Sequence, residues 1–268
     1  SEDFGAIQEE DFQSRRFQIG SLIGKLELSD DAFNRLKSMG STVGYYLKAH
    51  EMISTVSFNE ELTPSQKVAC VQAANYLEEN REIINNDSRA LYLLLRVWWM
   101  SKIGKPIFYG ERQTLPFTYD DWLYCSKIIA PLLTNDEIMY NNPRLLYLQG
   151  LAVFHLNEVK DAFEIFKQLE READHRTGPR RIIRSYLASL PNGEPRKFTG
   201  EVSWVSGDGT KGEVRISEIR EVVSFFPREF NRPDIRRGQS LGEFHLAFNF
   251  LGPSADPISY FRVSKSKK

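Results

Sequence analysis

Cysteine is nearly absent: Cys70 and Cys125 are the only two in 268 residues, and each stands in an apolar pattern of helical spacing. Two separated thiols make neither a disulfide framework nor a paired metal-ligand set, and reduced, buried thiols suit a cytoplasmic protein. Histidine is equally scarce. His50, His155, His175 and His245 include no i,i+4 pair and no neighbouring cysteine, so the common zinc spacings are missing. No run approaches the about 18 apolar residues that a membrane span needs. The densest, Ala90 to Met100, is interrupted by Arg96 and reads as a buried helix. No secretory signal is visible. A strong charge of one sign is also lacking, and the net charge of −1 excludes a chain that is basic over its whole surface.

Catalytic patterns are missing as well. Gly20-Ser21-Leu22-Ile23-Gly24-Lys25-Leu26 has too few residues between its glycines for a phosphate loop. It also lacks the Ser or Thr after lysine that would ligate magnesium. Asp120-Asp121 and Asp136-Glu137 fall at helix starts, where the macrodipole accounts for them. No Ser or Cys sits in a recognisable nucleophile setting. The expectation is a non-enzymatic chain that uses no cofactor and no metal. It begins with Ser rather than Met, from which a larger parent polypeptide is expected.

What is present changes character near Pro191-Asn192-Gly193-Glu194-Pro195. Before this seam, apolar residues recur at helical spacing; after it, short alternating segments are punctuated by Gly, Asp and Pro. The charge divides at the same place. From Arg196 onward there are 13 Lys and Arg against 9 Asp and Glu, a net of +4, so the helical part carries −5. Two domains follow: a helical-repeat domain over 1–190 and a β-barrel domain over 196–264, an α+β protein in two parts.

In the first part, Ser29-Asp30-Asp31 reads as an N-cap and Met39-Gly40 as a break. Thr63-Pro64 opens the next helix. Further helices are predicted over about 88–102, 118–133, 143–156, 159–173 and 179–190. Asn142-Pro143-Arg144-Leu145-Leu146-Tyr147-Leu148 aligns with Asp87-Ser88-Arg89-Ala90-Leu91-Tyr92-Leu93 at an offset of 55 residues. A tetratricopeptide unit is about 34 residues, and the excess falls in a loop inserted between Ile103 and Phe117. The repeat pattern is best over Leu146 to Leu169. Gly150 permits close approach, Leu156-Asn157-Glu158 turns, and Ala162 and Phe166 interlock the paired helices.

In the second part, strands are predicted over 198–205, 211–216, 221–226, 241–250 and 258–263, with Gly207-Asp208-Gly209-Thr210 as a hairpin turn. Five strands in about 65 residues fit a small closed barrel of the oligonucleotide-binding type. The residues from Ser264 to Lys268 read as a basic tail.

Three segments carry a family resemblance. Thr199-Gly200-Glu201-Val202-Ser203-Trp204-Val205 resembles the opening strand of cold-shock domains. Ile235-Arg236-Arg237-Gly238-Gln239 and Gly252-Pro253-Ser254-Ala255-Asp256-Pro257-Ile258 are similar to that family's loop before the fourth strand and its closing element. A helical-repeat region running into such a barrel resembles the C-terminal part of STAND-type NTPases, the sterile-alpha-motif-containing antiviral family and its bacterial defence relatives. The resemblance implies a sensor or regulatory region whose NTPase lies elsewhere, in antiviral or anti-phage defence.

Candidate ligand or nucleic-acid contacts are Trp204 and Phe225 as rings, with Lys211, Arg215, Arg228, Arg232, Arg236 and Arg237 as charges. Arg176, Arg180, Arg181 and Arg184 form a basic group at the seam, suited to phosphates or to pairing with carboxylates. Glu213 and Arg215 stand where cold-shock domains carry stacking phenylalanines, so the platform is reduced. The leading expectation is therefore a recognition and scaffold module with a protein partner. The alternative is a binder of single-stranded RNA or DNA acting through the barrel, which predicts micromolar or tighter, salt-dependent binding, whereas the leading reading expects weak nucleic-acid binding.

Overall fold

The computed structural model describes residues 2–134, 142–176 and 178–261, without the side chains of residues 2–4 and 172–176. The readings made at Asp136-Glu137, at the side chains of His175 and Arg176, at Val263 and on the basic tail lie outside the described residues. The described chain is α-helical through its first two-thirds and closes into a β-barrel, an α+β architecture in two parts. Contacts group it into two compact units. One holds residues 1–107 and 128–140, the other 108–127 and 141–268.

The first unit contains α1 (Glu2–Leu22), α2 (Leu26–Ser38), α3 (Val43–Met52), α4 (Pro64–Glu79), the short α5 (Arg81–Ile84) and α6 (Ser88–Ile103). Gly20 lets α1 and α2 approach closely, since a Cβ there would stand 2.8 Å from the Ser29 backbone nitrogen. The cap expected at Ser29 is not one. α2 starts three residues earlier, and Ser29 is buried inside it with its hydroxyl donating to the Leu26 carbonyl. A side chain that satisfies itself on the preceding turn has no need to cap. Gly40 ends the pattern with φ +71° as the predicted break. α4 carries the capping box of Thr63 and Gln66 behind Pro64. α6 is buried nearly all round, with its Asp87 cap accepting from two backbone N–H groups and from the Thr42 hydroxyl.

The second unit joins the first part of α7 (Tyr119–Thr134), the pair α8 (Pro143–His155) and α9 (Val159–Arg176), and the barrel. Asn157 takes the left-handed conformation at φ +68° in the α8–α9 turn, which asparagine tolerates. Across the pair, a Cβ on Gly150 would lie 3.0 Å from the Phe166 ring, and Ala162 beside it is fully buried.

Residues 179–190 are not the predicted helix. A 3-10 turn over Gly178–Ile182 leads into β1 (Tyr186–Leu187). Apolar residues at 182, 183, 186, 187 and 190 fit a helix equally well by spacing. Hydrogen bonding to the barrel decides for a strand. β1 pairs with β5 (Ser240–Asn249), which pairs in turn with β2 (Lys197–Val205). The order continues through β3 (Gly212–Ile216), β4 (Val222–Phe225) and β6 (Gly252–Pro257), and β6 returns to β5. The five strands β2 to β6 thus close, with β4 and β6 parallel, in the order of the oligonucleotide-binding barrel. The last strand lies six residues before its predicted place, because Gly252 at φ +99° reverses the chain directly into pairing with Asn249. Residues 258–260 form a 3-10 turn instead.

The inserted segment is also ordered. Arg112 and Gln113 donate backbone N–H groups to the carbonyls of Arg184 and Ser185, and Leu187 donates to Gln113, so the insertion extends the sheet beyond β1. The seam itself is a tight reversal, with Leu190 N–H on the Glu194 carbonyl and Arg196 N–H on that of Ala188.

Gly150→Leu forces a branched side chain into the Phe166 ring. Overpacking of this kind costs about 1–3 kcal/mol. A lowered urea midpoint is the expected reading, with Gly150→Ala intermediate.

Candidate functional site

β2 alternates strictly at first, with Phe198, Gly200 and Val202 buried and Lys197, Thr199 and Glu201 exposed. Continued alternation would turn Trp204 inward. A bulge between Val202 and Trp204 prevents this, so that Trp204 pairs with Glu213 and shares its outward face. Val202 N–H donates to the Gln239 carbonyl, Gly238 N–H to that of Val202, and Gln239 N–H to that of Arg236 within the loop. The 235–239 loop is thereby tied to β2 at the bulge. With Ile235 buried as its anchor, it stands Arg236 and Arg237 beside Trp204.

These three side chains line one depression of about 430 Å³, together with Asp234 and the glycines of the β2–β3 hairpin. Trp204 is 46% exposed. The hairpin is stiff, because the Asp208 carboxylate accepts from the Ser206 hydroxyl and from the Thr210 N–H and hydroxyl. These bonds draw its pKa down to about 2. Lys211, just before β3, and Arg215, on it, have exposed side chains, and Arg215 sits across from Glu201. The outward face thus offers a single large ring among Glu201, Glu213 and Arg215.

Other candidates lie elsewhere. Phe225 is a core residue, fully buried, with its ring over Gly212, where a Cβ would overlap it. It pairs with Gly212 on the inward side of β3, opposite to the face of Trp204, and stacks no ligand. Arg232 braces the loop by donating to the Ser240 carbonyl at 2.6 Å. Arg228 is exposed and is not part of the depression. Arg180 is exposed at a different cavity, and Arg181 is half-buried.

Arg184 belongs to a buried charge cluster that the sequence did not reveal. Asp256, with no exposure, accepts from Arg184 Nη1 at 2.6 Å and from Arg112 Nε and Nη2 at 2.8 and 3.2 Å. Glu229 holds Arg184 from the other side at 2.8 Å. The one available signal was an aspartate between Ala255 and Pro257, because a charge among apolar neighbours needs a partner.

His155 is likewise structural. Its Nδ1–H donates to the Leu151 carbonyl, its Nε2 accepts the Ser189 N–H, and its ring stacks on Trp122 at 4.3 Å. Burial holds its pKa down, at about 4. The Cys125 thiol and the Tyr186 phenol are raised by burial. Among the described residues no three His, Cys, Asp or Glu side chains gather as a metal site. No described helix is long and apolar enough to cross a membrane. Comparison with protein-family models, curated proteins and solved structures finds no match for this chain.

Two expectations follow. Asp256→Ala leaves two guanidinium groups without their buried carboxylate, a change worth about 3–5 kcal/mol, visible as an early thermal transition. For His155, the unfolded chain takes up a proton below about pH 6.5 that the folded chain refuses until about pH 4. Stability therefore falls as pH drops through that window, by on the order of 2–3 kcal/mol, and levels off below it. Urea midpoints at pH 7 and 4.5 should differ less in His155→Phe than in the native chain.

Proposed function

We propose that this chain is a non-enzymatic recognition module, the sensor or regulatory part of a STAND-type NTPase in antiviral or anti-phage defence. Nucleotide hydrolysis would then reside outside it. The observation that carries the reading is the depression where Trp204, Arg236 and Arg237 meet on a stiff barrel. An exposed tryptophan flanked by two arginines is the composition of an interface anchor. Groups whose protonation burial displaces strongly, among them Tyr147, His155 and Tyr186, are used in packing and hydrogen bonds and do not line this depression. In this reading the occupant is a polypeptide segment bearing an apolar side chain for Trp204 and acidic groups for the two arginines.

The barrel topology favours a second reading, in which Trp204 stacks a base and the loop arginines hold phosphates. Against it stand Glu201 and Glu213 on the same face and the loss of Phe225 to the core. Each missing ring removes about 1–3 kcal/mol of stacking per base. Labelled RNA and DNA oligonucleotides titrated at near-physiological salt decide between the two. The expected affinity is no tighter than about 1–100 μM, the non-specific range. It should depend steeply on salt, fall with Arg236→Glu/Arg237→Glu and change little with Trp204→Ala. Nanomolar binding abolished by Trp204→Ala would instead establish the nucleic-acid reading.

A further inference from the structure

A second cavity, of about 220 Å³, opens between the 108–111 segment, the first turn of α8, the 3-10 turn and the turn joining β5 to β6. It shares no residue with the Trp204 depression. Arg144 and Arg180 line it from separate elements. Both are exposed, and neither guanidinium has a carboxylate or hydrogen-bond partner among the described residues. Glu111, also at the cavity, is engaged by Arg112 at 3.3 Å. Two guanidinium groups against one carboxylate that Arg112 already engages leave the cavity with net positive charge, which a dianion offsets.

Ser185 supplies an independent observation. It lines the cavity and is 3% exposed, and its hydroxyl has no hydrogen-bond partner among the described residues. Its oxygen is not one of the fully buried polar atoms without a partner, so it is open to the cavity and available to an occupant. The apolar wall consists of Phe108 and Phe250, whose ring centres are 5.4 Å apart. Phe108 holds φ +62°, a conformation unusual for a bulky residue. The Tyr186 hydroxyl, accepting the Phe108 N–H at 2.8 Å, and the Tyr147 ring fix it there. Strain maintained by surrounding structure is characteristic of ligand clamps.

We infer that this cavity binds a small organic phosphate carrying a planar ring, of the class of nucleoside monophosphates. The phosphate lies with Arg144 and Arg180, whose forked donors match its oxygens. The Ser185 hydroxyl donates to the ligand, and the ring rests against Phe108 and Phe250. Pockets that bury a drug-sized ligand run to about 300–1,000 Å³; this cavity, at about 220 Å³, holds a single nucleotide only partly enclosed and excludes a strand of several. The site is independent of the recognition reading given for the barrel.

Calorimetric titration of the full chain with adenosine 5′-monophosphate, inorganic phosphate and adenosine tests it. The monophosphate should bind at least tenfold more tightly than either of the other two. Arg144→Gln and Arg180→Gln should each weaken it tenfold or more, Ser185→Ala severalfold, and Arg236→Glu/Arg237→Glu not at all. The glutamine variants should melt with the native chain, because neither arginine has an ion pair to lose among the described residues. If one melts early, the lysine variant decides: it keeps the charge, loses the fork, and must bind with intermediate affinity. The inference is overturned if the native chain binds no monophosphate at millimolar concentration. It is equally overturned if inorganic phosphate binds as tightly, or if the Arg144→Gln/Arg180→Gln double variant binds like the native chain.

Discussion

The Asp256 carboxylate, buried between Arg112 and Arg184, is the constraint on which the second compact unit turns. It lies on β6, the strand that closes the barrel. Its two cations come from the inserted segment and from the approach to β1. Desolvating a carboxylate is expensive, and here three charge-assisted bonds offset that expense. The geometry is demanding. Only when the insertion lies along β1, and β1 along β5, do both guanidinium groups reach the one acid. Arg112 also sits over the Tyr260 ring and Arg184 over that of Phe226, so each cation is shielded on a second side. The cluster thus couples the closure of the barrel to the placement of a segment more than a hundred residues earlier in the chain.

Aromatic packing does the rest. Tyr147 and Phe166 of the helix pair meet Phe248 and Phe250 of the barrel, and the Tyr147 hydroxyl donates to the Phe248 carbonyl. Rings of this size bury large areas and prefer the tilted and stacked contacts seen here. Helix pair and barrel are consequently one packed body. The sides of Tyr147, Phe154 and Phe166 that might have formed an open repeat surface are occupied by β5. The Trp204 depression and the small cavity beside Phe108 stay uncovered.

The parts of this arrangement legible from sequence are those set by local chemistry. Thr63-Pro64 gave its helix start because the capping box involves residues three apart. Gly40 and Asn157 marked helix ends because the left-handed conformation is costly for most other residues. Gly150 announced a close helix contact, and the alternation of β2 and β3 announced strands. Trp204, read as a candidate contact ring, is exposed, yet its exposure depends on a bulge that alternation alone would contradict. Phe225 was misplaced for the reverse reason. At the end of β4, Phe225 and Phe226 are adjacent, and the Phe225 ring, paired with Gly212 of the neighbouring strand, is the one that enters.

By itself, the sequence determined the two-part α+β architecture, most element boundaries and the number of barrel strands, because periodicity, caps and turn residues act over a few positions. Tertiary structure alone decided three matters. Residues 186–187 became a strand rather than a helix, since a backbone edge on β5 was there to pair with them. Arg184 became a core residue and Arg180 a cavity residue, since Asp256 reaches only the first. Arg144 and Arg180 came to share a cavity although 36 residues separate them in sequence. Charge and ring content can be counted along a chain, but their juxtaposition is fixed by contacts between residues distant in sequence.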